Sequence, residues 1–168
     1  MNIDITEATA DDRAGLANLL ELYMYDFSEF SGADAGDDGR FVHSTAMLDR
    51  YLAADATGRH AFVARVDGKL AGFAFVHRGS ALDGGPDAWD IAEFFVMRKY
   101  RRRGAGEAVA RHIWGRFPGR WQVREMRVNV PAHRFWRAII GRYTNGRFEE
   151  REWDDERWRG PVQFFATP

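Results

Sequence analysis

One stretch, residues 90–114, constrains the fold more than any other part of the chain. It reads DIAEFFVMRKYRRRGAGEAVARHIW. Its apolar run at 91–97 is short and contains Phe and Val, which favours a buried strand. Five basic residues occupy the six positions 98–103, and Gly-Ala-Gly follows at 104–106. From Glu107 onward apolar residues recur at helical spacing, so the stretch predicts a strand, a basic glycine turn and a helix.

This arrangement predicts a binding site for a polyanion. The first N–H groups of a helix lack partners inside it, and the helix dipole adds partial positive charge there. Glycines let a ligand approach the backbone, and a pyrophosphate is the simplest ligand for such a turn. The spacing is not that of a Walker P-loop. It is not a dinucleotide fingerprint either, because Val109 stands where the third glycine of that motif would be.

The composition excludes several kinds of site. The chain has no Cys, so it has no disulfide, no thiol nucleophile and no Cys-ligated metal. None of the five histidines has a partner four residues away, so no metal site is predicted. A formal net charge of −1 argues against a nucleic-acid partner. The acidic N-terminus does not resemble a signal peptide, and no apolar run approaches the ~20 residues that span a bilayer, so a cytoplasmic protein without a membrane partner is expected.

The rest of the chain predicts further strands and helices in a definite order. A short strand at Ile3 and Ile5 precedes a helix with an apolar stripe, which ends in YMYDFSEF. A second short helix contains Leu48, and two strands from His60 onward are joined by a hairpin turn at Asp67-Gly68. A break at 80–87, which includes Gly84, then leads into the stretch described above.

The C-terminal third continues the alternation. A strand is predicted at 121–130, a helix from Pro131, and two closing strands at 148–153 and 162–165. The order is therefore β-α-α-β-β-β-α-β-α-β-β. No repeat or long linker is present, so residues 1–168 are expected to form a single domain. Periodicity alone gives the class as α/β or α+β.

Two motifs resemble those of the GNAT superfamily of acetyl-CoA-dependent N-acetyltransferases. The first is R-x-x-G-x-G at Arg101, Gly104 and Gly106, which begins five residues after Val96 of the predicted strand. The second is N-x-x-A-x-x-[FW], and it comprises Asn129, Ala132, Phe135 and Trp136. The resemblance implies a mixed, mostly antiparallel sheet of about seven strands, with helices on both faces and a splayed pair of parallel strands at 90–97 and 121–130.

The same resemblance implies that acetyl-CoA is the acyl donor and that no metal takes part. Backbone groups in the splay of the parallel strands would bind the pantetheine arm at Phe94, Phe95 and Val96. The pyrophosphate would bind the turn formed by Arg101, Arg102, Arg103, Gly104, Ala105 and Gly106. Asn129 and Trp136 would contact the donor from the second motif.

Candidate catalytic residues follow from the chemistry of acyl transfer. An ammonium has no lone pair, so a carboxylate must take a proton from the acceptor amine. Glu93 is the first choice because its apolar neighbours disfavour the charged carboxylate, and Asp90 is the second. The family usually has a Tyr at the position of Trp136 to protonate the leaving thiolate. Tyr143, two helical turns further along, is the candidate replacement, with solvent or the thiol itself as alternatives.

The acceptor is expected to be the primary amine of a small molecule. Tyr25 and Asp26 at the end of the first helix are the candidate contacts, with Tyr23 and Phe27 beside them. The following loop contains three aspartates that would attract a cation: Asp34, Asp37 and Asp38. The tryptophans are compatible with a homodimer.

Two other functions remain open at this point. Because Trp136 replaces the usual Tyr, the chain could be an acyl-CoA-binding or sensor module with little catalytic activity. The basic residues at 99–103 could instead contact nucleic acid, although net charge and the scarcity of interleaved aromatic residues argue against this.

Overall fold

The computed structural model describes residues 1–41, 44–53, 56–80, 82 and 85–167. Over these residues the elements are β1 (Ile3–Glu7), α1 (Arg13–Ser31), α2 (Ser44–Leu52), β2 (Arg59–Val66), β3 (Lys69–Arg78), β4 (Trp89–Val96), α3 (Ala105–Arg116), β5 (Arg120–Arg124), α4 (Val130–Thr144), β6 (Phe148–Asp154) and β7 (Arg159–Ala166). This is the predicted order of strands and helices. The predicted break at 80–87 is partly outside the described residues, Gly84 included.

The strands form a mixed sheet in the order β1-β2-β3-β4-β5-β7-β6. β1 pairs antiparallel with β2, and β7 pairs antiparallel with both β5 and β6. β4 and β5 are parallel, and their register joins Trp89 to Trp121 and Asp90 to Gln122. The predicted mixed sheet of seven strands with one parallel pair is thereby confirmed.

By its internal contacts the chain divides into two compact units, residues 1–75 with 93–106, and residues 76–92 with 107–168. The boundaries fall inside β3, β4 and α3. That residues 1–168 act as a single domain stays a prediction.

In the first unit, α1 buries one apolar stripe, and its other residues are partly or fully exposed. Leu16, Leu19 and Leu20 are buried, as the helical spacing predicts. The β2–β3 hairpin turns at Asp67 and Gly68, whose φ values of 48° and 75° are those of a tight hairpin turn. Gly72 of β3 lies so close to β4 that a Cβ there would be 2.2 Å from the carbonyl oxygen of Phe95. Only glycine fits this approach of two backbones.

In the second unit, α3 and α4 are held together by aromatic packing. Trp114 of α3 is fully buried. Its ring centroid lies 6.3 Å from Trp136 and 4.8 Å from Tyr143, both on α4, and 5.2 Å from Phe165 of β7. Such pairs add to the free energy gained by burying the rings, and they fix the two helices against β7.

The predicted strand at 121–130 is too long, because β5 ends at Arg124. The backbone beyond it still bonds to β7, with the N–H of Glu125 donating to Pro161 O (3.2 Å) and that of Arg127 to Arg159 O (3.2 Å). The ladder is incomplete here because Pro161 has no N–H to donate back to Glu125, and Gly160 lies against this segment, where a Cβ would be 2.1 Å from Glu125 O. The alternating apolar residues therefore resemble a strand that the backbone does not complete.

Candidate active site

The turn between β4 and α3 has the backbone of an anion site. A short 3-10 turn at Arg98–Tyr100 leads out of β4, and α3 begins at Ala105. Arg102 and Gly104 have positive φ values of 59° and 84°, and a Cβ at Gly104 would meet no atom within 4 Å. Left-handed residues before a helix N-terminus turn successive N–H groups toward one side, which is the geometry that binds phosphates.

The basic side chains of this turn divide into two groups. Arg98 and Arg101 are engaged with α1. The Arg98 Nε donates to Asp26 Oδ1 (3.0 Å), and the Arg101 guanidinium pairs with the other oxygen of the same carboxylate. Asp26 also raises the pKa of the Arg98 guanidinium, through its hydrogen bond first and its charge second.

Arg101 also ties the turn to the strand before it. Its Nε donates to Val96 O (2.6 Å), and its guanidinium lies 5.6 Å from the Phe95 ring centroid. Arg102 and Arg103 are exposed and have no hydrogen bond or ion pair within the described part of the chain. The positive charges of Arg102 and Arg103 are therefore available to bind an anion at this turn.

Glu93, the favoured base, lies on β4 and is bonded to a side chain from α1. The Tyr23 hydroxyl donates to Glu93 Oε2 over 2.5 Å. Burial, followed by the charge and hydrogen bond of Glu93, raises the pKa of Tyr23 well above its usual value. The sequence placed Tyr23 in the apolar stripe of α1 and near the acceptor, but it did not indicate a contact with Glu93, because the two residues are 70 positions apart.

Asp90, the second candidate base, lies in the second unit and is 1% exposed. Its Oδ2 accepts from Gln122 Nε2 (2.8 Å) and lies 3.4 Å from Arg124 Nε, whereas its Oδ1 has no hydrogen-bond partner among the described residues. Burial raises the pKa of Asp90, and the positive charge of Arg124 opposes that shift. This environment is that of a buried structural carboxyl group more than that of a base open to substrate.

The second motif forms the start and one face of α4. Asn129 is the N-cap, and its Oδ1 accepts from the N–H of Ala132 (3.2 Å). Trp136 is 5% exposed. Tyr143 is half-buried, with the Arg111 guanidinium 5.3 Å from its ring centroid. Trp136 and Tyr143 both contact Trp114, so they share one face of α4 as predicted.

A polar cavity of about 280 Å³ opens where α1 ends. Tyr25 and Asp26 line it, and so do Glu29, Asp34 and Arg98. Tyr25 is 66% exposed. Asp37 and Asp38 are exposed further along the loop, where Asp38 accepts from the N–H of Arg40 (3.1 Å). The structure thus brings both predicted acceptor residues to one cavity, although the charge of Asp26 is balanced by the two arginines.

A buried carboxyl group at the end of β5 had no signal in the sequence. Glu125 is 4% exposed, and burial raises its pKa to about 8. Gln163 Nε2 bonds both to Glu125 (3.2 Å) and to Glu150 (2.9 Å), which also pairs with His133 (3.0 Å) and Arg137 (2.7 Å). Glu125 Oε1 has no partner in the described residues. A single Glu among alternating residues does not indicate such burial.

The described residues contain neither a metal-binding cluster nor a membrane-spanning helix. No group of three or more His, Asp or Glu side chains is placed to hold a metal ion. No helix there has both the length and the apolar character needed to cross a membrane.

Comparison with known proteins agrees with the fold. The sequence profile of the acetyltransferase (GNAT) family matches residues 18–141. A comparison with curated protein sequences found no match. Because the family profile covers well over half of the chain, the chain belongs to the GNAT family of acetyltransferases.

Solved structures share the fold at low sequence identity. A histone acetyltransferase HPA2-related protein from Corynebacterium glutamicum is 18% identical, with a TM-score of 0.69 over 100% of this chain and 99% of that one. The aminoglycoside acetyltransferase AAC(6')-Ib, in complex with coenzyme A, is 16% identical (TM-score 0.68; 98% and 95% covered). The PaiA N-acetyltransferase from Thermoplasma acidophilum, also with coenzyme A, is 12% identical (TM-score 0.62; 99% and 100% covered).

Proposed function

We propose that the protein transfers an acetyl group from acetyl-CoA to the primary amine of a small cationic molecule. The observation that carries this proposal is the turn before α3. Its left-handed residues Arg102 and Gly104 precede a helix N-terminus, and Arg102 and Arg103 are exposed beside it. A diphosphate fits such a turn. The family resemblance also assigns Phe94, Phe95, Val96, Asn129 and Trp136 to the donor.

The amine nitrogen attacks the acetyl carbonyl carbon after losing one proton to the Glu93 carboxylate, directly or through water. A C–N bond forms, the nitrogen gives up a second proton, the C–S bond breaks, and the sulfur leaves as a thiolate that takes up one proton. The products are the N-acetyl amine and coenzyme A with a free thiol, and one proton of the original ammonium is released to solvent. No covalent enzyme intermediate is needed, and the chain has no Cys to form one.

Glu93 is favoured over Asp90 because of what surrounds each carboxylate. Glu93 is half-buried and lies on β4, the strand that leads to the anion turn. Asp90 is buried, hydrogen-bonded to Gln122 and close to Arg124. A base must be able to reach the proton that it accepts, so Glu93 suits the role better.

The cavity at the end of α1 supports a cationic acceptor. Arg98 and Arg101 balance the charge of Asp26, and Glu29 and Asp34 add two further carboxylates to the cavity wall. The exposed Tyr25 ring offers an apolar or cation–π contact. A small amine with a second positive charge would match this lining.

The second candidate is an acyl-CoA-binding module with little activity. It is favoured by Trp136, which is buried against Trp114 and offers no useful acid to a thiolate. Thiol release from acetyl-CoA, measured against a panel of diamines, amino acids and aminoglycosides, decides between the two. The enzyme hypothesis predicts turnover with a cationic amine and about a hundredfold loss or more in Glu93→Gln. Binding without turnover across the panel would favour the module.

The matched control for that assay is Glu29→Gln, which removes one carboxylate of the cavity wall without touching β4. It should raise KM for the cationic amine and leave kcat nearly unchanged, because it weakens ground-state binding only. A preference for anionic amines in the wild-type enzyme would contradict the proposed acceptor class.

A further inference from the structure

The Tyr23 hydroxyl is held on Glu93 by the packing of its ring. The ring centroid lies 5.5 Å from Phe27 of the same helix, 5.7 Å from Phe73 of β3 and 5.9 Å from Phe95 of β4. These contacts come from three elements and leave the ring little freedom to rotate away. The hydroxyl is therefore presented to Glu93 Oε2 in a fixed direction.

The Tyr23 phenol stays neutral, and so remains a hydrogen-bond donor, throughout the pH range in which such an enzyme works. Burial raises the pKa of Tyr23, and the charge and hydrogen bond of Glu93 raise it further. A neutral O–H that points at a carboxylate favours the ionised carboxylate over the protonated acid. The contact therefore opposes the effect of the apolar residues around Glu93.

Charged side chains also lie on the elements that contribute to this pair. α1 also contributes Asp26, but its charge is held by Arg98 and Arg101. β3 contributes the apolar Phe73, and the turn contributes Arg101, whose guanidinium lies over Phe95. The Tyr23 hydroxyl on α1 bonds the Glu93 side chain directly.

We propose that Tyr23 is a positioning residue, which orients the Glu93 carboxylate and keeps it ionised so that it can accept the proton of the amine. This inference rests on the proposed function, because it assigns Glu93 the role of base. It adds a residue that motif comparison does not reach, since Tyr23 lies on α1, far in sequence from both GNAT motifs.

The test is Tyr23→Phe in the full-length protein, which keeps the ring and removes the hydroxyl. We expect kcat to fall about tenfold, as for loss of one hydrogen bond to a charged group, while KM for acetyl-CoA stays the same. The acidic limb of the pH profile of kcat/KM should move up by about one pH unit, because the carboxylate becomes harder to ionise. Tyr51→Phe is the matched control. Tyr51 lies in the same unit, and its ring is stacked on Phe75 with the centroids 4.6 Å apart. Removing the Tyr51 hydroxyl should leave the pH profile of kcat/KM unchanged.

A double-mutant cycle separates positioning from a general structural role. In a Glu93→Gln background, Tyr23→Phe should cost little further activity, because both substitutions disable the same function. A structural role would instead give additive losses with no movement of the pH profile, and that result would overturn the proposal. Thermal melting and coenzyme A calorimetry establish that each variant is folded.

A titration of the tyrosine absorbance near 295 nm gives a readout that does not depend on activity or on Tyr23→Phe being stable. Glu93→Gln removes two of the causes that raise the pKa of Tyr23, so one tyrosine should ionise at lower pH than in the wild type. An unchanged titration would show that the two side chains do not interact and would overturn the proposal. No wild-type turnover on any amine would overturn the proposed function as well. If Glu93→Gln abolished activity while Tyr23→Phe kept the wild-type pH profile of kcat/KM, only the positioning role of Tyr23 would be overturned.

Discussion

Trp136 cannot give a proton to a departing thiolate, because an indole N–H is not a useful acid. Tyr143 lies on the same face of α4 and has the hydroxyl that Trp136 lacks. Its ring packs on Trp114, and the Arg111 guanidinium lies 5.3 Å from the ring centroid. We therefore retain Tyr143 as the candidate acid.

The residue-scale prediction is that Tyr143→Phe lowers kcat at least about tenfold and leaves KM for acetyl-CoA unchanged, because proton transfer to the leaving group is lost and binding is not. The loss should shrink with an acyl donor whose thiol is more acidic, since such a thiolate leaves without help. Steady-state thiol release measures both effects. Equal kcat for Tyr143→Phe and the wild type would assign the tyrosine to packing and leave protonation to solvent.

At the scale of one element, β4 depends on a glycine in its neighbour. A Cβ at Gly72 would be 2.2 Å from Phe95 O and 3.1 Å from the Cα of Val96. Gly72→Ala should therefore lower the free energy of unfolding by about 2 kcal/mol or more, since backbone atoms must move to admit the methyl group. It should also weaken acetyl-CoA binding, because Phe95 and Val96 belong to the proposed donor site.

Urea denaturation and calorimetry with acetyl-CoA measure the two effects of Gly72→Ala. The control is Gly115→Ala on α3, where a Cβ meets no atom within 4 Å and alanine should stabilise the helix by up to about 1 kcal/mol. Wild-type stability in Gly72→Ala would mean that the two strands are not packed as closely as described.

The sequence predicted helices and strands correctly where a single hydrophobic period, that of a helix or that of a strand, dominates. The order of strands and helices, the hairpin at Asp67-Gly68 and the start of α4 near Pro131 were confirmed. The end of β5 was predicted wrongly because alternation in 125–130 continues past Arg124, while Pro161, which lacks the N–H needed to complete the ladder, is distant in sequence.

The site was predictable to the extent that it depends on local motifs. The turn before α3 lies where the R-x-x-G-x-G motif predicts it. The partners of its side chains were not predictable, because Asp26 and Tyr23 approach from α1, more than 60 residues earlier. The sequence assigned Asp26 to the acceptor, whereas its carboxylate pairs with Arg98 and Arg101, and its role toward the acceptor stays a prediction.

At the scale of the whole molecule, Glu125 makes stability depend on pH. Its pKa is about 8 in the folded chain and is expected near the reference value of 4.5 when unfolded. Between these values folding takes up a proton. The free energy of unfolding therefore falls as pH rises through this window, by at most about 1.4 kcal/mol per pH unit from this group. Above pH 8 its contribution no longer changes.

Urea denaturation at pH 6 and pH 9 tests this prediction. The free energy of unfolding of the wild type should fall by about 2 kcal/mol between pH 6 and pH 9. That of Glu125→Gln should fall by less, because a glutamine has no proton to release. Glu149→Gln is the control. The pKa of Glu149 is lowered by Arg151, so its charge does not change in this range. If the free energy of unfolding of Glu125→Gln fell with pH as steeply as that of the wild type, the pH dependence would come from another group.

The central claim is that the turn at 101–106 binds the diphosphate of coenzyme A, and calorimetric titration with coenzyme A tests it most directly. Gly104 has a positive φ that Asp and Asn both tolerate, and its Cβ would point into open space. Gly104→Asp adds a negative charge at the turn, and Gly104→Asn adds the same shape without the charge. We predict saturable binding to the wild type, binding within about threefold in Gly104→Asn, and a loss of at least about tenfold in Gly104→Asp, because like charges repel at close range. Equal affinity in all three proteins, or no binding to the wild type, would contradict the account.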